Sequence, residues 1–310
     1  MLRDEHDANH VRRELPGQDA AYAGKQPAYR DNADGTISDL NTGLMWVKAR
    51  GTALPWSSAV AGAASCSVGG YSDWRMPTLK ELYSLVKFTG ANGQSFTNTA
   101  GYVPFIDTNY FGFTYGPGTS EQTGFRVIDA QDWSANAYVS TVMGGQAAVF
   151  GYNFTDGRIK GYPPANSNYV RYVRGNTGYG VNNFVNNGDG TISDKATRLM
   201  WSRNDSGTGL TWSNALAFAE TNTLAGYTDW RLPNAKELQT IVDYSRSPDT
   251  TGSAAINAVF NCTGISNENN VADFPWYWAS TTLFTGPNKA EGVYICFGRA
   301  MGYMNNAWVD

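Results

Sequence analysis

Residues able to do chemistry are few in this chain, and their spacing narrows the chemistry further. The histidines, His6 and His10, lie close to the amino terminus, and the three cysteines, Cys66, Cys262 and Cys296, are far apart. Zinc needs clustered Cys or His ligands, which this distribution does not supply. A Ser-His-Asp or Cys-His centre needs a histidine inside a folded domain, and the chain has none after His10. No phosphate-cradling glycine loop of the P-loop or dinucleotide type is present. Carboxylates remain. Asp31, Asp34 and Asp39, with Asp189 and Asp194 further on, have a flavour of calcium loops, because calcium collects oxygens from closely spaced carboxylates. Their pattern, D-x-x-D-G-x-x-x-D, has neither EF-hand spacing nor a terminal bidentate Glu. The Asp-Gly pairs read more simply as tight hairpin turns. A last group is aromatic and amidic: Trp276, Tyr277, Tyr303, Asn305, Asn306 and Trp308. Sugars are held by stacking on aromatic rings and by hydrogen bonds from amides, so these six are candidate ligand-binding residues. The competing reading makes them core and ordinary loop residues.

The elements that must position these groups are written twice. Tyr71-Ser72-Asp73-Trp74-Arg75-Met76-Pro77-Thr78-Leu79-Lys80-Glu81-Leu82 returns as Tyr227-Thr228-Asp229-Trp230-Arg231-Leu232-Pro233-Asn234-Ala235-Lys236-Glu237-Leu238. Thr78 and Asn234 are N-cap residues, and Glu81 and Glu237 fall three places later, as a capping box requires. That is a better reading of these glutamates than catalytic acids. Pro77 and Pro233 hold the preceding residue extended and keep the helix from starting earlier. Leu79, Leu82, Leu85 and Val86 then share one face, as do Ala235, Leu238, Ile241 and Val242. Trp74 and Trp230 are expected in the core. Arg75 and Arg231 are expected to bond loop carbonyls or Asp73 and Asp229. Upstream, Asn32-Ala33-Asp34-Gly35-Thr36-Ile37-Ser38-Asp39 matches Asn187 to Asp194, Leu44-Met45-Trp46 matches Leu199-Met200-Trp201, and Trp56-Ser57 matches Trp212-Ser213. Self-similarity at so long a period means two tandem domains rather than a solenoid.

Taken together, D-G-T-I-S-D, T-G-L-M-W, W-S-x-A, Y-[ST]-D-W-R-[ML]-P and the later Tyr277 to Thr282 run resemble one bacterial family, the Lcl C-terminal domain. The resemblance covers two copies and almost the whole chain from Gly17 onward. The tryptophan-arginine-proline segment is also similar to formylglycine-generating-enzyme-like domains of the C-type-lectin-like folds. The resemblance implies an α+β class with two tandem C-type-lectin-like domains, each of short antiparallel strands, two helices and long loops. It implies an exported surface or periplasmic, adhesin-like protein that recognises a glycan or protein ligand, with a structural or assembly pair as the alternative. Formylglycine-type chemistry would need a reactive cysteine pair late in the domain, for which Cys262 and Cys296 are the candidates. Cys66 matches the family's helical cysteine, but its customary partner position is Tyr172, so no bond is expected there. Cys262 and Cys296 could pair with each other or stay as buried free thiols.

Composition adds limits. The 310 residues suffice for two domains of ordinary size. Aromatics at 14% and 34 glycines fit loop-rich domains with aromatic cores. Net charge is −4 with no basic run beyond Arg12-Arg13, which argues against nucleic acid. No apolar stretch reaches membrane-spanning length, and Met1 to Gln18 has no apolar core of a signal peptide. Residues 1–16 read as a disordered tail, 17–176 as the first domain and 177–310 as the second. The second stops before any equivalent of the Val170-Arg171-Tyr172-Val173 strand, which would leave an edge open to another chain and to homo-oligomers. No cofactor is expected, calcium being the sole candidate.

Overall fold

The computed structural model describes residues 16–22, 24–119, 126–285, 290–304 and 306–309. The fold is α+β, with short helices and several small antiparallel sheets. In the first copy β1 (Tyr29–Asp31), β2 (Thr36–Asp39) and β3 (Leu44–Val47) form a meander with Ile37 opposite Trp46. Its first turn places Ala33 and Gly35 at φ 61° and 87°, the left-handed region an Asp-Gly turn supplies. Helices α1 (Trp56–Ser65) and α2 (Leu79–Ser84) follow. After the short β4 (Ala91–Asn92) comes a long hairpin of β5 (Gln131–Val142) and β6 (Gln146–Asn153), extended by β7 (Arg158–Tyr162). Finally β8 (Val173–Gly175) closes the first sheet on the far side of β3, with Val173 opposite Trp46.

The second copy repeats the plan. β9 (Phe184–Asn186), β10 (Thr191–Asp194) and β11 (Leu199–Ser202) form the meander, and α3 (Trp212–Glu220) and α4 (Ala235–Thr240) the helices. A short α5 (Pro248–Thr251) is followed by the β12 (Ile265–Ser266) and β13 (Ala272–Asp273) hairpin. β14 (Trp276–Thr285) pairs with β15 (Ala290–Cys296), and β16 (Gly302–Met304) with β17 (Ala307–Val309). Among the described residues no strand lies on the outer edge of β11. No described helix is long and apolar enough to cross a membrane.

The capping boxes form in both copies: Thr78 and Asn234 accept from the amides of Glu81 and Glu237, whose carboxylates accept from the cap amides. The glutamates also hold the arginines. Arg75 and Arg231 make paired bonds to Glu81 and Glu237 at 2.5–2.7 Å and none to Asp73 or Asp229; of the loop carbonyls expected as the alternative, Arg75 reaches Met76 O at 3.4 Å. The helix start and the preceding extended segment are therefore tied by one carboxylate. Asp73 instead takes Arg174 at 2.6 Å.

The aspartates of the D-x-x-D-G pattern are spent on turns. Asp34 and Asp189 each accept the amide and hydroxyl of Thr36 and Thr191, at 3.0 and 2.6 Å. Asp31 accepts from Ala33 and Lys48. Asp39 accepts from Asn41 and Thr42, and Asp194 from Asn182, Asn183, Ala196 and Thr197. Among the described residues no three His, Cys, Asp or Glu converge as metal ligands would. All three cysteines are free thiols, so the Cys262–Cys296 bond is not formed. Cys262 sits instead 3.0 Å from the Tyr277 hydroxyl.

One hydrophobic core serves both copies. Leu79, Leu82 and Phe105 of the first join Leu238, Ile241 and Phe297 of the second, and Phe150 meets Tyr244 at 5.2 Å. Burying a side chain such as Leu82 fully contributes about 1.5–3 kcal/mol. β4 runs parallel to the end of β14, adding a first-copy strand to a second-copy sheet. The leading segments cross over as well. Residues 177–182, ahead of the second copy, lie on α2, where Lys80 donates to Gly180 O and Asn182 Oδ1 at 3.1 and 3.0 Å. Residues 16–22, ahead of the first copy, lie on the second: Asp19 accepts from Thr281, and Tyr22 bonds Glu220 and stacks on Arg231.

Candidate functional site

The proposed ligand-binding residues fall in different surroundings. Tyr277 is drawn inward. Its hydroxyl donates to Asp205 at 2.5 Å, its ring packs on Phe297 at 5.1 Å, and its ionisation is pushed far up by burial and then by the Asp205 bond. It is part of the framework. Trp276 lies 41% exposed on β14, edge-on to Tyr294 at 4.8 Å, with Trp278 on the other side of that ring at 5.8 Å. Tyr303 and Trp308 face each other across the β16–β17 hairpin at 5.3 Å, 60% and 39% exposed. Asn306 makes the turn between them at φ 63°. Asn305 lies outside the described residues.

Trp308 walls an open depression of about 340 Å³, lined also by Asp249, Asn267, Asn269, Arg299 and Met301. Each polar member is fixed by local chemistry. Ser247 caps the short α5 through the Thr250 amide and so places Asp249. The tight β12–β13 turn passes through Asn270 at φ 58°. Asn267 stabilises that turn by accepting from the amides of Asn269 and Val271, and it donates to Asp273 at 3.0 Å. Arg299 bonds Asp249 through Nε and Nη2, donates to Ala272 O at 2.9 Å and lies 3.5 Å from Asp273. The Asp249 bond, against the cost of burial, pushes the Arg299 ionisation up, so the guanidinium is permanently charged. Asn269 donates to the Trp308 carbonyl at 3.3 Å. Gly144, at the tip of the β5–β6 hairpin, completes the rim from the first copy.

Of the residues predicted for ligand binding only Trp308 lines this depression, while Trp276, Tyr277 and Tyr303 do not, and sequence reasoning missed Asp249, Asn267, Asn269 and Arg299. The Asn267-Glu268-Asn269-Asn270 run was the available signal, since amides cluster both in turns and at sugar sites. A second concavity of about 820 Å³ separates the copies beside Lys80, Asn136, Asn182, Asp243 and Tyr244. Burial lowers the Lys80 ammonium to about 8, opposed by Asp243 and Asp194. Burial raises the thiols of Cys262 and Cys296 to about 11 and about 12. Neither is a thiolate near neutral pH, and the thiolate is the nucleophile.

Fold and site thus define a tandem α+β protein whose two copies share one core, with an open depression beside Trp308 in the second copy. The chain belongs to the Lcl C-terminal domain family, whose model matches residues 35–174 and again 190–309. No curated protein and no solved structure matches the chain significantly.

Proposed function

We propose that this is a non-enzymatic recognition protein of an exported, adhesin-like kind, with C-type-lectin-like domains, and that it binds a glycan in the Trp308 depression. The observation that carries this is the pairing of an exposed indole with a fixed Asp249–Arg299 pair and the Asn267 and Asn269 amides around one small concavity. A sugar presents an apolar face to a ring and hydroxyls to a charged or amide rim, and Asp249, 37% exposed at its side chain, keeps acceptor capacity beyond its bonds to Arg299. The protonated thiols and the engaged aspartates support binding without catalysis or bound calcium. A structural reading draws on the shared core and the crossed leading segments, which already bind the copies to each other.

A glycan-array screen of the chain, with calcium and again with EDTA, tests the proposal. The expected result is a specific hit unchanged by EDTA and weakened about thirtyfold by Trp308→Ala, the size of a hot-spot tryptophan loss. A blank array on folded protein overturns the glycan assignment. Turnover that depends on Cys262 or Cys296 overturns the non-enzymatic one.

A further inference from the structure

In the groove between the copies a lysine meets a side-chain carboxamide. Lys80, in the first turn of α2, donates to Gly180 O at 3.1 Å and to Asn182 Oδ1 at 3.0 Å. Asn182 belongs to the segment leading into the second copy, 102 residues further along the chain. On its other side the same carboxamide donates through Nδ2 to Asp194 Oδ2 at 2.8 Å. Amine, carboxamide and carboxylate are thus in successive contact. Asp194 is buried and fixed by three further donors, the amides of Asn183 and Ala196 and the Thr197 hydroxyl, at 2.9–3.0 Å. Burial opposes its charge, but the bonds from Asn183 and Asn182 hold the carboxyl below the ordinary carboxylate range. Burial also brings the Lys80 ammonium down to about 8, against the pull of Asp243 and Asp194. A desolvated lysine of this kind is a nucleophile in its neutral form.

The other lysine supplies an internal comparison. Lys236 matches Lys80 and is likewise brought to about 8 by burial, and Asp39, which matches Asp194, favours its charge as Asp194 does that of Lys80. The carboxamide is missing. Leu40 donates to Ala28 O as Lys195 does to Asn183 O, which aligns Ala28 with Asn183 and Pro27 with Asn182. Lys236 meets the Ser84 carbonyl at 2.7 Å instead, a peptide group with no amine to release.

We propose that Lys80 and Asn182 join in an intramolecular isopeptide bond, with Asp194 as the proton-transfer group. Neutral Nζ attacks Asn182 Cγ. The Nζ–Cγ bond forms and the Cγ–Nδ2 bond breaks. One Nζ proton passes by way of Asp194 to Nδ2, which leaves as ammonia, and no oxidant or other reactant is consumed. Contact between amine and carboxamide in the fold makes the step unimolecular. The open groove beside both residues gives ammonia its exit. The bond ties the leading segment of the second copy to α2 of the first and restricts the unfolded chain as a disulfide does. The inference stands apart from the glycan reading, since none of the three residues lines the Trp308 depression.

The test is peptide mapping by mass spectrometry of the full chain, as purified and after incubation above pH 8, where the amine is largely neutral. The expected chain is lighter by one ammonia molecule, and its digest contains a branched peptide joining Lys80 to Asn182, with no tryptic cut after Lys80. A succinimide at Asn187-Gly188 also loses ammonia, so the branched peptide decides. Lys80→Arg and Asn182→Ala abolish it, and Asn182→Ala unfolds at lower denaturant than the parent chain. Asp194→Asn slows its formation at least about a hundredfold. Unjoined Lys80 and Asn182 peptides from folded parent chain after incubation overturn the proposal, whatever the variants do. A branch at Lys236 in equal yield overturns it too, because burial alone would then suffice. Equal rates in folded Asp194→Asn overturn the role of Asp194.

Discussion

The two copies build one helix from one recipe and bury it to different depths. The side chain of Glu81 is 2% exposed and that of its counterpart Glu237 19%, although both close a capping box and both grip an arginine at 2.5 Å. Trp46 is fully buried and Trp201 only half. The residues at these positions are the same, so residue type does not set the difference. Strand β8 covers β3 in the first copy, and β11 has no such cover among the described residues. Local sequence fixes the element, and a strand distant in the chain fixes how dry it is.

Three measurements would break or sharpen that contrast. The largest effect is expected for Trp46→Ala, which should cost about 3–5 kcal/mol in chemical denaturation as a buried aromatic truncation, with Trp201→Ala costing less than half as much. Equal losses would show that the exposure difference has no energetic weight. Next come Glu81→Ala and Glu237→Ala. Removing Glu81 strips a cap and leaves Arg75 facing a buried site, a loss of about 3 kcal/mol. Glu237→Ala should cost about 1–2 kcal/mol, because Glu237 is itself more exposed than Glu81, at 19% against 2%, and solvent screens the pair more. The smallest effect concerns charge. Burial holds Lys80 and Lys236 at about 8 against an ordinary 10.5, with nearby aspartates opposing. A base whose folded pKa is depressed favours folding above its unfolded pKa, and that contribution is lost as pH falls through the folded one. Stability relative to Lys236→Met should therefore rise between pH 8 and 10.5. Burial raises Tyr179 from 10.0 to about 12, chiefly by desolvation. That opposing contribution is lost from pH 10 upward, so comparison with the variant is needed to isolate the lysine. A flat difference across the window would mean the ammonium is better solvated than its position implies.

Much of each copy was legible because its determinants are local. Caps three residues apart, Asp-Gly turns and alternating helix faces gave α1 to α4 and both meanders. The Trp133, Tyr138 to Val142 and Ala147 to Phe150 strands were visible as β-branched and aromatic runs. The Arg–Glu clamps were missed because Asp73 and Asp229 lie closer in sequence than Glu81 and Glu237, and only the extended Met76-Pro77 backbone brings the glutamates round. Trp230 was expected in the core with Trp74 but is only half-buried, because burial depends on what packs over a residue from distant parts of the chain, which a local motif does not carry. The polar half of the Trp308 depression comes from α5, the β12–β13 turn and Arg299, spread over 50 residues between Asp249 and Arg299. No short motif carries that distance.

The crossed leading segments bear on how the chain is made. Asp19 meets Thr281 across a separation of 262 residues. Loop closure over such a span comes late, and domains emerge from synthesis amino end first. The first copy can form its meander early, but its leading segment has no binding surface until Glu220 and Arg231 have been translated, and its contact with Thr281 waits for β14. The halves are therefore expected to finish folding together.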